Sequence, residues 1–182
     1  MTTLLIILMA AIAVYLFTQL EPETVTKEIA KVTPDITDTS GIPDPIGTNA
    51  DSTKVKALAI SIAEAEGFFN PVQIGVFIQN RPQRDHNPGD ITDNSSRAIG
   101  KDGPLNVYQN DNDGWQDLFE KVDRMLSGNS MTYPLAFTFD DLGNTYTGGD
   151  NPDSWTTAVL QHLGKLGFNL SNSNTLEDYI NV

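Results

Sequence analysis

The chain has 182 residues, of which 24 are acidic and 11 are basic, so its formal net charge is −13 at pH 7. This charge argues against a nucleic-acid partner, because binding to a phosphate backbone depends on lysine and arginine side chains that neutralise phosphates. The chain has no cysteine, which excludes disulfides, thiol nucleophiles and zinc–thiolate sites.

The N-terminal segment is apolar from residue 4 to residue 17 and continues to residue 20 with two polar residues, Thr18 and Gln19. As a helix it reaches the low end of the length that crosses a bilayer. The alternative is a cleaved signal peptide, which needs a basic start and a small-residue cleavage site after the apolar run. No basic residue precedes the run, and its Ala-x-Ala triplet lies inside it. We therefore predict a transmembrane anchor within residues 1–20, with residues 4–20 in the membrane.

Residues 21–51 contain four prolines, many threonine and aspartate residues and little apolar content. A segment of this composition does not bury enough apolar surface to offset the entropy lost on ordering it. We therefore predict a flexible linker between the anchor and a folded domain at residues 52–182.

The domain is predicted to be mainly α, with α+β as the alternative. A first helix, capped by Ser52 or Thr53, runs to Glu66 and ends at Gly67. Residues 79–112 are rich in Asn, Asp, Gly and Pro, which indicates loops with short strands. Four later helices are predicted: one capped by Asp113 and running to Leu126, one within 135–143, one from Asp153 or Ser154 to Gly164 or Gly167, and a last turn at 176–180.

Glu66 lies at the C-terminal edge of the apolar face of the first helix, because it follows Leu58 and Ile62 at four-residue steps. Glu64 faces the polar side of the same helix. A carboxyl beside apolar groups is desolvated, which favours its protonated form, and protonation of a glycosidic oxygen needs a protonated carboxyl near neutral pH. The alternative is that Glu66 is a surface residue in the last turn before Gly67.

Several short motifs follow Glu66 in a defined order. Glu66-Gly67-Phe68-Phe69 is followed by Arg84-Asp85-His86-Asn87-Pro88-Gly89-Asp90-Ile91, then by Tyr108 and a helix, and then by Tyr146-Thr147-Gly148-Gly149-Asp150-Asn151-Pro152. Over roughly residues 55–167, this order resembles the lysozyme-like transglycosylase domains of phage virion and tail proteins. In that family a helix ends in Glu-Gly-Phe, an Arg-x-x-Asn-Pro-Gly-Asn-Leu-like loop follows, and a Tyr-x-x-x-Asp-Asn-like turn precedes a late helix.

The resemblance implies a lysozyme-like helical fold that cleaves the bond between N-acetylmuramic acid and N-acetylglucosamine in peptidoglycan, with Glu66 as the catalytic acid and no cofactor. Glu66 would then act as a base towards water, as in a lysozyme, or towards the 6-hydroxyl of the sugar, as in a lytic transglycosylase. The sequence does not separate these outcomes. Two departures from the family can reshape the cleft: Asp90 replaces the usual asparagine, and an insertion-like run lies around residues 73–79.

Seven further residues are candidates for binding the glycan: His86, Asn87, Tyr108, Gln109, Tyr146, Asp150 and Asn151. His86 and Asn87 would hydrogen-bond an acetamido group, or else their loop is held by its own Asx turn. Tyr108 and Gln109 would contact sugar, unless Tyr108 is a buried structural residue. Tyr146 would stack on sugar or hydrogen-bond near Glu66. Asp150 is either a second carboxylate or, with Asn151, part of a turn before the late helix.

Two functions remain open. The first is a membrane-anchored enzyme that degrades the bacterial wall, located in the virion membrane of a bacteriophage or in a bacterial envelope. The second is a structural virion or envelope protein whose lysozyme-like domain binds glycan or a protein partner without cleaving it. The expected partners are peptidoglycan strands and, through residues 4–20, a membrane, with no nucleic acid. His86 and His162 make no pair with metal-ligand spacing, so no metal is expected.

Overall fold

The computed structural model of the protein describes residues 39–70 and 79–182. The predicted anchor at residues 4–20 and the predicted linker as far as residue 38 lie outside the described residues. Within the two described ranges, no helix has both the length and the apolar character needed to cross a membrane.

The described part of the chain is mostly helical, which confirms the predicted mainly α class. Its helices are α1 (Ser52–Ala65), α2 (Arg81–Arg84), α3 (Asp111–Leu126), α4 (Phe139–Tyr146), α5 (Pro152–Lys165) and α6 (Leu176–Asn181). Strands β1 (Gly100–Asp102) and β2 (Leu105–Val107) form an antiparallel hairpin in which Lys101 pairs with Asn106. The hairpin lies in the stretch where loops with short strands were predicted.

Helix α1 forms the centre of the core, where it packs against α3 and α5. Its buried residues lie on several faces and not only on the predicted stripe: Val55, Leu58, Ala59, Ile60, Ile62 and Ala63 are at most 1% exposed. The partner helices contribute Leu118, Phe119 and Val122 from α3 and Val159 and Leu163 from α5. A helix that is enclosed in this way has a fixed end, and Glu66 is the residue at that end.

Two helices begin earlier than predicted because other side chains cap them. Asp51, and not Ser52 or Thr53, caps α1, and its carboxylate accepts the backbone N–H of Thr53 at 2.8 Å. Asn110, and not Asp113, caps α3, and its side-chain oxygen accepts the Asp113 N–H at 3.1 Å. An aspartate therefore caps α1 in place of the predicted serine or threonine, and an asparagine caps α3 in place of the predicted aspartate.

The folded unit begins before the predicted boundary between linker and domain. The carboxylate of Asp123 in α3 accepts the backbone N–H of Asn49 at 2.8 Å and its side-chain N–H at 3.0 Å. Gln116, also in α3, donates to the carbonyl of Asp44 at 3.0 Å. The segment from Asp44 onwards therefore belongs to the domain, which corrects the C-terminal end of the predicted linker at 21–51.

Candidate active site

A cleft of about 590 Å³ lies beside the C-terminal end of α1, which is within the size range of ligand sites. The end of α1, the loop after α2, the end of α4 and the start of α5 contribute to its walls. The polar and aromatic residues that line it include Glu66, Asp90, Tyr146, Asp150, Asn151 and Trp155.

Glu66 is the C-cap residue of α1, and Gly67 directly after it takes the left-handed conformation, with φ of 81°. This conformation ends the helix and is strained for residues with a Cβ atom. The side chain of Glu66 lies in the cleft, where its Oε1 accepts the indole N–H of Trp155 at 2.7 Å. The predicted helix end therefore places the carboxyl in a cleft and not in open solvent.

The environment of Glu66 raises its pKa to about 7, chiefly because burial penalises the charged carboxylate. The N–H of Trp155 lowers the pKa, whereas the charge of Asp90 and a hydrogen bond to the Asp90 carboxyl raise it. Near neutral pH a substantial fraction of the molecules therefore carries a proton on Glu66. That is the state required of a general acid.

Asp90 forms a carboxyl pair with Glu66. Burial raises the pKa of Asp90 to about 6, the charge of Arg81 lowers it, and the charge of Asp85 raises it. The interaction between the two carboxyls raises the pKa of Glu66 and lowers that of Asp90, so Glu66 holds its proton to higher pH than Asp90 does. Both carboxylates would repel each other if charged together, so Asp90 helps to keep Glu66 protonated.

The loop that carries Asp90 is clamped by a buried amide. Asn87 is fully buried, its Oδ1 accepts the N–H of Ile91 at 2.8 Å, and its Nδ2 donates to the carbonyls of Ile91 and Asn106 at 3.1 and 3.0 Å. Within this clamp Asp90 takes a left-handed conformation, with φ of 44°, which aspartate tolerates better than most residues. The loop is thereby fastened to β2 and holds the Asp90 carboxyl at the cleft.

Gly89 sits where a larger residue does not fit. A Cβ at this position would lie 2.5 Å from Cδ1 of Leu118 and 3.1 Å from the hydroxyl oxygen of Tyr146. The Tyr146 hydroxyl donates to the Gly89 carbonyl at 2.6 Å, and the Tyr146 ring stacks on Trp155 with centroids 5.0 Å apart. Burial and the charge of Glu66 raise the pKa of Tyr146 well above its usual value, so the hydroxyl stays neutral and remains a donor. These contacts join the loop, α4 and α5 into one wall.

The cleft brings together four of the residues predicted from the sequence: Glu66, Tyr146, Asp150 and Asn151. Asp150 and Asn151 are exposed at the rim, before the first residue of α5. Asn151 has a left-handed φ of 53° and makes no side-chain capping bond to α5. These positions are compatible with the predicted contact to glycan, and that contact stays a prediction.

The other four predicted binding residues are absent from the cleft lining: His86, Asn87, Tyr108 and Gln109. His86 Nδ1 lies 2.7 Å from the Asp111 carboxylate at the start of α3. Tyr108 is 1% exposed, and its hydroxyl donates to Asp117 at 2.7 Å. This is the buried structural role that was the predicted alternative to contact with sugar. The glutamine is exposed on the loop before α3. His86, Asn87 and Tyr108 therefore make packing or loop contacts within the domain.

Two residues of the site were not predicted from the sequence. Trp155 falls within the predicted late helix, and periodicity carries no information on where an indole N–H points. Asp90 was noted only as a departure from the asparagine of the resembled family. A second carboxylate at that motif position is the signal that could have identified the pair.

The arrangement defines a class of site: a carboxyl with a raised pKa, held in a partly apolar cleft with an aromatic wall and a second carboxyl that influences its pKa. In the part of the chain that the structure describes, no three His, Asp or Glu side chains converge as metal ligands. Comparisons with protein-family models, with curated proteins and with solved structures gave no match for this chain.

Proposed function

We propose that this protein is a membrane-anchored enzyme that cleaves the bond between N-acetylmuramic acid and N-acetylglucosamine in peptidoglycan, on a lysozyme-like helical domain. The observation that carries the proposal is the Glu66 carboxyl, which lies in an open cleft and has a pKa raised to about 7. General acids work best when their pKa lies near the working pH, because they then hold a proton and also release it readily.

In the proposed reaction, protonated Glu66 transfers its proton to the bridging oxygen as the glycosidic bond breaks. The N-acetyl oxygen of the substrate stabilises the positive charge on the sugar. Glu66, now a carboxylate that accepts the Trp155 N–H, takes a proton from water or from the sugar 6-hydroxyl as that oxygen attacks. Water gives a hydrolysed product, and the 6-hydroxyl gives an anhydro sugar. In both cases the proton returns to Glu66.

Asp90 does not act as a nucleophile in this proposal. The charge of Asp90 raises the pKa of Glu66, and burial raises the pKa of Asp90 itself to about 6. We therefore assign Asp90 to keeping Glu66 protonated and not to attack on the sugar. The proposal uses one acid and relies on the acetamido group of the substrate.

The predicted anchor at residues 4–20 and the linker after it would hold this domain close to a membrane and within reach of the wall. A bacteriophage virion membrane and a bacterial envelope both provide this arrangement. The phage location rests on the family resemblance of the motifs from Glu66 to Asn151.

The test uses the full-length chain in mild detergent, assayed by release of soluble fragments from purified peptidoglycan. The variants are Glu66→Gln and, as a matched control, Glu64→Gln. Glu64 lies on the same helix, burial raises its pKa as well, and it does not line the cleft. We expect the wild type and Glu64→Gln to release fragments at similar rates. The rate of release by Glu66→Gln should be lower by about 100-fold or more.

Each other outcome has a defined meaning. Release that persists in Glu66→Gln would remove this carboxyl from the chemistry. Binding of peptidoglycan without release, on walls of several chemotypes, would favour the non-cleaving structural protein. Mass spectrometry of the products then separates a lysozyme from a lytic transglycosylase by the absence or presence of anhydro ends.

A further inference from the structure

A second cleft, of about 440 Å³, meets the first one at Asp90. The two clefts share Asp90, Thr92 and Tyr146 in their linings. We call the second cleft the basic arm, and its lining includes Asp93, Lys121, Arg124, Ser130 and Tyr133. Asp90 therefore lies where the two clefts join, with Glu66 in the first cleft, and a chain-like substrate that occupied both clefts would pass across this junction.

The basic arm is lined by two basic side chains, Lys121 and Arg124, and by two acidic ones, Asp90 and Asp93, and both cations face Asp93. Lys121 Nζ lies 3.2 Å from Oδ2 of Asp93, and a guanidinium nitrogen of Arg124 lies 3.8 Å from the same oxygen. Two cations thus share one carboxylate, in a chain whose net charge is −13. The side chains of Asp93 and Arg124 are about half exposed, so water and ligands reach their charged groups.

Lys121 is held rigidly in this wall. Its Nζ lies 5.4 Å from the centroid of the Tyr133 ring and 5.3 Å from the centroid of the Tyr146 ring. Its side chain is 10% exposed, so the ammonium group is placed by the two rings and loses little freedom when a ligand binds. A preorganised cation beside the exposed Arg124 suits a small anionic group in the arm.

We propose that the basic arm binds a carboxylate carried by the glycan substrate, with Arg124 and Lys121 as its ligands. The identity of the substrate rests on the proposed function. In peptidoglycan the carboxylate comes from the lactyl group of N-acetylmuramic acid where the peptide is absent, or from the peptide stem where it is present. The ligand would displace Asp93 from Arg124, because their ion pair is long and exposed and therefore weak.

Binding is measured by calorimetry with the full-length chain in detergent, in the Glu66→Gln background so that ligands are not cleaved. Three oligosaccharides of equal length are compared. The first contains only N-acetylglucosamine and has no carboxylate, the second is peptide-free peptidoglycan glycan with lactyl carboxylates, and the third is peptide-bearing glycan. The third arm distinguishes the two sources of the carboxylate.

Substitutions in the basic arm are expected to change affinity in opposite directions. Arg124→Gln should weaken binding of the carboxylate ligands about tenfold and change the neutral oligosaccharide less than about twofold. Asp93→Asn should strengthen binding of the same ligands about threefold, since it removes the internal competitor. Lys165→Gln is the control, because it removes one positive charge from an exposed position of α5 outside both clefts. It should leave the affinity for all three oligosaccharides unchanged.

If Arg124→Gln weakened the binding of all three ligands equally, the proposal would be overturned. The same holds if Lys165→Gln weakened the binding of the carboxylate ligands as much as Arg124→Gln does. Either result would indicate unspecific charge attraction. If the parent protein cleaves peptidoglycan but the carboxylate ligands bind no more tightly than the neutral oligosaccharide, this inference fails and the proposed function stands. If no oligosaccharide binds, both fail. Circular dichroism of each variant verifies that the fold is retained.

Discussion

Trp155 donates its indole N–H to Oε1 of Glu66 at 2.7 Å, which links the start of α5 to the end of α1. This bond favours the charged carboxylate, whereas burial and the neighbouring Asp90 favour the protonated acid and raise the pKa of Glu66 to about 7. The proton affinity of Glu66 is therefore a balance of opposing contributions from named residues. Single substitutions should move it in either direction.

Trp155→Phe is expected to raise the pKa of Glu66 further, because it removes the N–H that stabilises the carboxylate. A phenylalanine ring can keep the stacking contact with Tyr146, now at 5.0 Å between centroids. The alkaline limb of the kcat/KM profile should move to higher pH, with activity below pH 6 retained within about tenfold. The lost hydrogen bond should lower the free energy of unfolding by about 1 kcal/mol, and the smaller ring adds to that loss.

The chain offers a matched control for this change in its other tryptophan. Trp115 is 2% exposed and packs against Phe119 in α3 at 5.7 Å between ring centroids. Trp115→Phe should lower stability by a comparable amount and leave the pH profile in place. An unchanged profile for Trp155→Phe would show that its N–H does not influence the reacting carboxyl.

Asp90→Asn should shift the profile in the opposite direction. Removing the charge and the proton acceptor of the pair lowers the pKa of Glu66, so the alkaline limb should move to lower pH and activity at pH 8 should fall. Asparagine tolerates the left-handed φ of 44°, so the loop conformation is expected to persist.

Asp150→Asn is the comparison for this variant, because it removes a carboxylate from the same cleft. Asp150 does not contribute to the raised pKa of Glu66, so its loss should leave the alkaline limb unchanged. A similar shift for both variants would indicate a general charge effect. A loss of activity at every pH for Asp150→Asn alone would instead assign it the role of second carboxylate.

The raised pKa of Glu66 also predicts how stability depends on pH. The folded state holds this proton up to about pH 7, whereas an exposed glutamate in the unfolded chain releases it near pH 4.5. The unfolded state therefore binds fewer protons across this window, and the contribution of Glu66 to stability falls as pH rises from about 4.5 to 7. Glu66→Gln is neutral at every pH and can still accept the Trp155 N–H.

Glu66→Gln should consequently be more stable than the wild type at pH 8, by up to about 3 kcal/mol, and nearly equal to it at pH 4. Thermal denaturation of both proteins at the two pH values, followed by tryptophan fluorescence, measures the difference. A constant difference at both pH values would contradict the raised pKa. A functional residue that lowers stability in this way is expected where a charge must form in a partly apolar cleft.

The sequence was sufficient for the parts of the site that depend on local structure. Residues at four-residue steps and the following Gly67 placed Glu66 at the end of a buried helix, and the structure has it there as the C-cap. The Tyr146 and Asp150 positions also fall in the cleft. The helix end follows from periodicity and from a turn residue, which act over a few positions, whereas Tyr146 and Asp150 were singled out by the family resemblance.

The remaining parts depend on contacts between distant segments. Trp155 and Glu66 are 89 positions apart, and no periodicity indicates that their side chains meet. Asn87 belongs to a motif in which it was weighed as a glycan ligand or as a loop residue. Its buried bonds to Ile91 and Asn106 support the loop role, and Asn106 lies in a hairpin whose register was not predicted. Such pairings are decided by tertiary packing.

The close approach at Gly89 leads to the last prediction, on the wall of the cleft. Gly89→Ala places a methyl group 2.5 Å from Cδ1 of Leu118 and 3.1 Å from the Tyr146 hydroxyl, so the loop or α4 must move. We expect a loss of about 1 to 3 kcal/mol in the free energy of unfolding, as for overpacked cores. Activity should also fall, because the displacement disturbs the Tyr146 bond at 2.6 Å and the adjacent Asp90.

Gly164→Ala is the matched control, since the same methyl group meets nothing within 4 Å at this position of α5. It should raise stability by about 0.5 to 1 kcal/mol through helix propensity and leave activity unchanged. Denaturant titration measures both differences, and peptidoglycan release measures activity. If Gly89→Ala matched the control in stability and activity, the loop would be free to adjust, and the carboxyl pair would not depend on this close contact between the loop, α3 and α4.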